Sequence, residues 1–130
     1  MTRPAQIVLD ASALLAWLQN EPGSDVVGDR LADAVVSAAN WSEIWQKLAQ
    51  RGVDADRATR RLRALGVQIE PVTAADAVAA ARLWPLTHTA GLSLADRCCL
   101  ALALRLDSIA VTADAAWASV DTGVRVQVIR

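Results

Sequence analysis

Along the chain, apolar runs that read as buried strands alternate with stretches of helical spacing. Gln6 to Leu9 is a short β-branched and apolar run closed by Asp10, the pattern of a strand covered on both faces. Ser12 to Gln19 favours helix by its Ala, Leu and Trp content, and Glu21-Pro22-Gly23 stops it; a second helix runs from about Ser24 to Ala32. Ala34 to Ser37 reads as a second strand. From Asn40 to Gln50, Trp41, Ile44, Trp45 and Leu48 recur at helical spacing, with Gly52 just beyond as a stop. Asp54 to Leu65 is a further helix ended by Gly66, Val67 to Val72 a short strand, and Thr73 to Trp84 an alanine-rich helix that Pro85 ends.

A loop with His88 and Gly91 leads to the most apolar helix, Ser93 to Leu106. Leu94, Cys98, Leu102 and Arg105 share one stripe of it, which predicts packing against a sheet. Ile109 to Thr112 is a strand, Asp114 to Ala118 a short helix, and Val124 to Ile129 a final strand in which Arg125 and Gln127 alternate with apolar residues, as on a half-exposed edge. Strands alternating with helices predict an α/β fold: a three-layer α/β/α sandwich around a parallel sheet of four to five strands. In such folds ligands gather at the carboxyl ends of the strands.

A length of 130 residues predicts one domain over 1–130, and 54% hydrophobic content is enough to build its core. The apolar runs, such as Cys98 to Leu104 and Ala13 to Leu18, are far too short to span a membrane. The Met1 to Gln6 segment passes into Ile-Val-Leu and Asp10 and does not read as a signal peptide. Adjacent Cys98 and Cys99 exclude a disulfide framework and read as buried thiols, so a cytoplasmic location is expected. A net charge of −1 excludes a global field for nucleic acid, so any RNA must be met by a local patch.

Candidate chemistry lies in four carboxylates. Asp10 follows the first strand, and Asp114 follows Ile109 to Thr112 by two residues. Glu43 and Asp96 fall in the first turns of their helices, in Asn40-Trp41-Ser42-Glu43 and Ser93-Leu94-Ala95-Asp96. Each has a structural explanation, because Asn40-x-x-Glu43 and Ser93-x-x-Asp96 resemble capping boxes and Asp10 or Asp114 can cap the helix that follows. Together at one sheet edge, four carboxylates repel one another and lose hydration unless a cation neutralises them. Mg²⁺ or Mn²⁺ suits carboxylate and water oxygens and activates water toward a phosphodiester.

The order Ile7-Val8-Leu9-Asp10-Ala11-Ser12, Asn40-x-x-Glu43, Leu92-Ser93-Leu94-Ala95-Asp96 and Val111-Thr112-Ala113-Asp114-x-x-Trp117 resembles PIN-domain proteins, in particular VapC-type toxins of bacterial toxin–antitoxin pairs. The resemblance covers nearly the whole chain. It implies a Mg²⁺- or Mn²⁺-dependent endoribonuclease acting on structured cellular RNA, of the tRNA or rRNA class, and a cognate antitoxin protein that blocks it. It also implies that Asp10, Glu43, Asp96 and Asp114 hold the metal, that Ser12, Asn40 and Thr112 orient carboxylates or water, and that products carry 5′-phosphate and 3′-hydroxyl ends. Ala11 departs from a position where many relatives have a hydroxyl residue, and Cys99 or Leu100 stands where some carry a further acid; one metal or two is left open. The competing expectation is a non-catalytic α/β protein-binding module whose acids are helix caps.

Other features change the picture less. Arg57, Arg60, Arg61 and Arg63 crowd one helix, and Arg51 to Arg63 carries a local +3, a phosphate-gripping patch if RNA is the substrate and a solvated face with Asp56 pairing Arg60 if not. His88, the only histidine, reads as a surface residue. The five tryptophans read as core or interface, with Trp17, Trp41 and Trp45 the candidates for partner contact. Helices rich in Ala, Leu and Trp suit a homodimer or a toxin–antitoxin hetero-oligomer as well as a monomer's core. GxGxxG, GxxxxGK[ST] and GxSxG are all absent, which removes the usual anchors for dinucleotide, P-loop and serine-hydrolase readings.

Overall fold

The structure, a computed structural model, describes residues 6–130, so the Met1 to Ala5 part of the N-terminal reading lies outside it. Strands β1 (Ile7–Leu9), β2 (Ala34–Ser37), β3 (Gln68–Glu70), β4 (Ile109–Thr112) and β5 (Val126–Val128) form one sheet in the order β3-β2-β1-β4-β5. Every neighbouring pair is parallel. The chain winds outward from β1 through β2 to β3, then returns beside β1 with β4 and continues to β5. Strand order therefore reverses between β1 and β4, and the carboxyl ends of those two strands flank the crevice where such sheets bind ligands.

Helices α1 (Ala11–Leu18), α2 (Ser24–Gly28), α3 (Ala38–Gln50), α4 (Ala55–Ala64), α5 (Ala74–Arg82), α6 (Trp84–Thr87) and α7 (Leu94–Leu106) cover both faces. Alternation along the strands divides the core. Ile7, Leu9, Ala34, Val36 and Val111 pack with Leu14, Val27, Ile44, Leu48 and Leu62 on one side. Val8, Val35 and Ala110 pack with Cys99, Leu102, Ala103, Leu83 and Trp117 on the other. This is the expected three-layer sandwich, with β5 on the edge and only partly covered.

Several boundaries differ from the sequence expectation. The helix expected over Ser24 to Ala32 ends at Gly28, a poor helix former, and a 3₁₀ turn over Leu31–Asp33 follows. Pro85 does not begin a loop: α5 stops at Arg82 and the proline sits in the first turn of α6, where its missing N–H costs nothing. The final strand contracts to Val126–Val128 and the third to Gln68–Glu70. Leu94 leaves the predicted apolar stripe: as the first residue of α7 it is 62% exposed, and the buried face begins at Cys98. Of the five tryptophans only Trp117 is fully buried, while Trp45 and Trp84 are exposed. Gly66 is required by the turn before β3, since it adopts φ +111° and a Cβ there would stand 2.8 Å from the Cα of Ala32.

An ion pair between buried Asp76 and exposed Arg105 clamps α5 onto α7, the helix that carries Asp96. Arg105 donates from Nε to Asp76 Oδ1 at 3.0 Å and from Nη2 to Asp76 Oδ2 at 3.1 Å. Asp76 also closes a capping box with Thr73. Burial pushes its carboxyl upward, but the hydrogen bonds and charge of Arg105, with those from Thr73, outweigh this and hold it below the ordinary carboxylate value. The clamp's stability is thus present above the unfolded carboxylate range and is lost as pH falls through the lowered value. Asp76→Ala is expected to destabilise the fold by about 1–2 kcal/mol at neutral pH, because it removes the cap and the closest partner of a solvent-accessible Arg105 that retains Glu70. Urea unfolding of both proteins at pH 7 and pH 3 checks this: the difference should shrink at the lower pH.

Candidate functional site

The apolar β1 ends at Asp10, which leaves the sheet in an extended conformation and caps α1 by accepting from Ala13 N–H at 2.8 Å. Its backbone N–H donates to Val111 O at 3.1 Å, tying the ends of β1 and β4 together. Two hydroxyls complete its shell. Thr112 Oγ1 donates to Oδ2 at 2.6 Å, and Ser12 Oγ donates to the same carboxylate at 2.8 and 2.9 Å. Both hydroxyls also accept from the chain after β4: Asp114 N–H donates to Thr112 at 3.0 Å and Ala113 N–H to Ser12 at 2.9 Å. One hydrogen-bonded knot therefore fixes Asp10 and the start of the Asp114 turn.

Glu43, Asp96 and Asp114 meet Asp10 in a cleft of about 270 Å³, together with Ala11, Ser12, Ser93 and Lys47. Asp10 is the buried floor, Glu43 and Asp96 are half-buried walls, and Asp114 is the exposed rim. Burial raises the Asp10 carboxyl from 3.8 to about 6, against the hydrogen bonds from Thr112, Ala13 and Ser12 and with a further push from the Asp96 charge. The floor of the cleft thus resists a negative charge while its walls supply more of it.

The capping explanation holds for three of the four acids. Asp96 and Ser93 form a capping box at the start of α7, and Asp114 accepts from Ala116 N–H at the start of the 3₁₀ turn over Ala115–Ser119. It fails for Asn40 and Glu43. The cap of α3 is Ser37, so the helix starts two residues earlier than expected, Asn40 is inside it, and Glu43 lies in the second turn. Buried Asn40 instead donates from Nδ2 to Glu43 Oε1 at 3.1 Å and to Ala95 O at 3.3 Å, which fixes Glu43 against α7 and leaves Asn40 Oδ1 without a partner. Capping and ligand binding do not exclude each other here. Asp96 Oδ1, Asp114 Oδ2 and Glu43 Oε2 take part in none of these bonds and keep lone pairs for the cleft.

Among the described residues, no three acidic, His or Cys side chains converge closely enough to form a coordination cage by themselves. The donor set fits a hydrated hard cation: Mg²⁺ keeps several waters and takes only one or two protein carboxylates directly. Four carboxylate groups around one cleft, three with an uncommitted oxygen, match that requirement, and a soft thiol is lacking because burial pushes the Cys99 thiol well up and keeps it protonated.

The remaining candidates lie elsewhere. Arg57 and Arg61 line a separate cavity of about 510 Å³ with Leu18, Leu48 and Val53, and the Arg61 guanidinium stacks 4.9 Å over the Trp17 ring. Arg60 pairs with Asp56 at 3.9 Å on an exposed face. The structure thus does not bring these arginines to the acidic cleft. His88 is exposed and stacks on Trp84, and both cysteines are buried and free, as the sequence suggests. Lys47 lines the cleft and escaped the sequence reading; its position one helical turn after Glu43 is the signal that places it there.

The fold recurs in solved structures of low sequence identity. A toxin–antitoxin complex from Klebsiella pneumoniae is similar with TM-score 0.74 and 15% identity, over 96% of this chain and 98% of that one. FitAcB from Neisseria gonorrhoeae has TM-score 0.71 and 21% identity, over 95% and 98%. VapC20 of Mycobacterium tuberculosis, a sarcin-ricin loop cleaving toxin, has TM-score 0.69 and 18% identity, over 88% and 94%. No curated protein matches the sequence significantly. The sequence model of the PIN domain does match, over residues 7–123, which takes in strands β1 to β4 and all four carboxylates, and the chain belongs to the PIN domain family.

Proposed function

We propose that the protein is a Mg²⁺- or Mn²⁺-dependent endoribonuclease toxin, acting on structured RNA of the tRNA or rRNA class in the cytoplasm and neutralised by a cognate antitoxin. The observation that carries this reading is the single cleft at the strand-order reversal, lined by Asp10, Glu43, Asp96 and Asp114. The substrate and partner draw support from structural relatives, one a sarcin-ricin loop cleaving toxin and another a toxin–antitoxin complex.

In this reading the four carboxylates hold the cation. When bound, it supplies Lewis-acid chemistry at the phosphodiester. The chain's own part is orientation. Ser12 and Thr112 keep both Asp10 oxygens directed, Asn40 holds Glu43, the Ser93 capping box fixes Asp96 to the start of α7, and the bond from Ala116 N–H fixes Asp114 to the start of its 3₁₀ turn. Each oxygen left over then faces the cleft in a preset geometry, so little reorganisation is needed when substrate arrives. Arg57, Arg60 and Arg61 would meet RNA only outside the cleft.

Cleavage of total cellular RNA and structured transcripts with Mg²⁺, Mn²⁺ or EDTA tests the proposal, with Asp96→Asn as control; Asn keeps an acceptor for the Ser93 N–H. Discrete metal-dependent cuts, lost in the variant, are expected. Mn²⁺ at a hundredfold excess over its Kd should also stabilise the wild type by about 2.7 kcal/mol. No cleavage with any metal, together with an unchanged melting temperature, would return the acids to helix caps and favour a protein-binding module.

A further inference from the structure

The acidic cleft has an electrostatic difficulty as an RNA site. A phosphodiester carries a negative charge, and four carboxylates line the place it must enter. A divalent cation offsets only part of theirs. The arginine cluster does not help, because Arg57 and Arg61 line another cavity and Arg60 pairs with Asp56. Among the described residues Lys47 is the one cationic residue lining this cleft, and it is the only lysine among the 13 basic residues of the chain.

We propose that Lys47 is the phosphate-binding group of the cleft, its ammonium holding a non-bridging oxygen of the RNA backbone beside the four carboxylates. This deepens the ribonuclease reading and rests on it. The simplest alternative is a helix-surface pair with Glu43 at i,i+4. That pair is absent: among the described residues no ion pair or hydrogen bond engages the Lys47 ammonium, although Glu43 stands one turn away and its Oε1 is taken by Asn40. The side chain is half-buried, so its stem is anchored and its charge is kept at the cleft without being spent on a neighbour. The residue type also fits. A compact ammonium on a flexible stem meets phosphate as a point charge.

The test measures binding of a short fluorescein-labelled RNA hairpin in Ca²⁺ as a cation that does not support turnover, across a salt series, for wild type, Lys47→Met and Lys47→Arg. Lys47→Met is expected to weaken binding about tenfold and to flatten the slope of log K against log salt by about 0.7–0.9, one phosphate contact, with Lys47→Arg recovering most of both. In Mg²⁺ the loss should appear mainly in KM. The Mn²⁺-induced rise in melting temperature should persist in Lys47→Met, which separates a lost phosphate contact from a damaged metal site. Equal affinity and slope for Lys47→Met and a wild type that cuts RNA would overturn the assignment of Lys47 alone. A wild type that neither binds nor cuts RNA would overturn the ribonuclease reading and this one with it.

Discussion

Asp10→Asn is expected to abolish RNA cleavage and, in the same molecule, to make the metal-free protein more stable. In the proposed ribonuclease, loss of one carboxylate from the floor of the cleft removes several kcal/mol of transition-state stabilisation, about a 10³-fold drop or more. Stability moves the other way. Asn is as good an N-cap as Asp, so the bond from Ala13 N–H survives. The Ser12 and Thr112 hydroxyls accept as readily as they donate, so they can meet the new amide. What disappears is the penalty of a buried charge.

That penalty depends on pH with a definite sign. Asp10 titrates at about 6 in the fold against 3.8 as its ordinary value, so the native state holds this proton more tightly than the unfolded chain. Its contribution is fully favourable below the ordinary value and is lost as pH rises through about 6. A shift of roughly two units corresponds to about 3 kcal/mol at pH 8. Thermal or urea unfolding in EDTA should therefore show wild type weakening between pH 4 and pH 7 while Asp10→Asn stays flatter and ends more stable. Mn²⁺ should erase the difference by stabilising only the wild type. An Asn variant that is less stable than wild type at pH 8 in EDTA would mean that Asp10 is held as a structural cap and not as a poised ligand.

The strand ends were legible in the sequence because strands buried on both faces are continuous apolar runs, and a carboxylate closing such a run marks the sheet edge. That logic placed Asp10 after β1 and Asp114 after β4. The start of α3 was not legible in the same way. Ser37 is both the last residue of β2 and the cap of the helix, and a run of strand residues hides a cap of that kind. The error moved Asn40 from a capping position to the interior, and with it the meaning of the Asn40–Glu43 pair. The break at Leu83 was hidden for a related reason, since Pro85 signals equally the end of one helix and the first turn of another. Spatial separation of the arginines from the acids needed tertiary structure: charge density along α4 reports a face, not what that face borders.

Trp117, three residues after Asp114, is expected to matter almost as much as the acids. It is 1% exposed and packs with Leu100, Leu102 and Cys99 on the α7 side of the sheet. Its backbone N–H donates to Asp114 O at 3.2 Å, so the buried residue ties the short turn capped by Asp114 to the core. Trp117→Ala should destabilise the fold by about 3–5 kcal/mol through the cavity left behind. It should also loosen Asp114, reducing the Mn²⁺-induced stabilisation in the molecules that remain folded. Trp117→Phe supplies the decisive comparison. The indole Nε1–H is buried without a partner, so Phe removes an unsatisfied donor while keeping most of the ring, and a cost below about 1.5 kcal/mol is expected. Urea unfolding with and without Mn²⁺ reads both effects. If Trp117→Ala proves nearly as stable as Trp117→Phe, the ring does not anchor the turn, and the position of Asp114 must be held by the Thr112 and Ser12 hydroxyls alone.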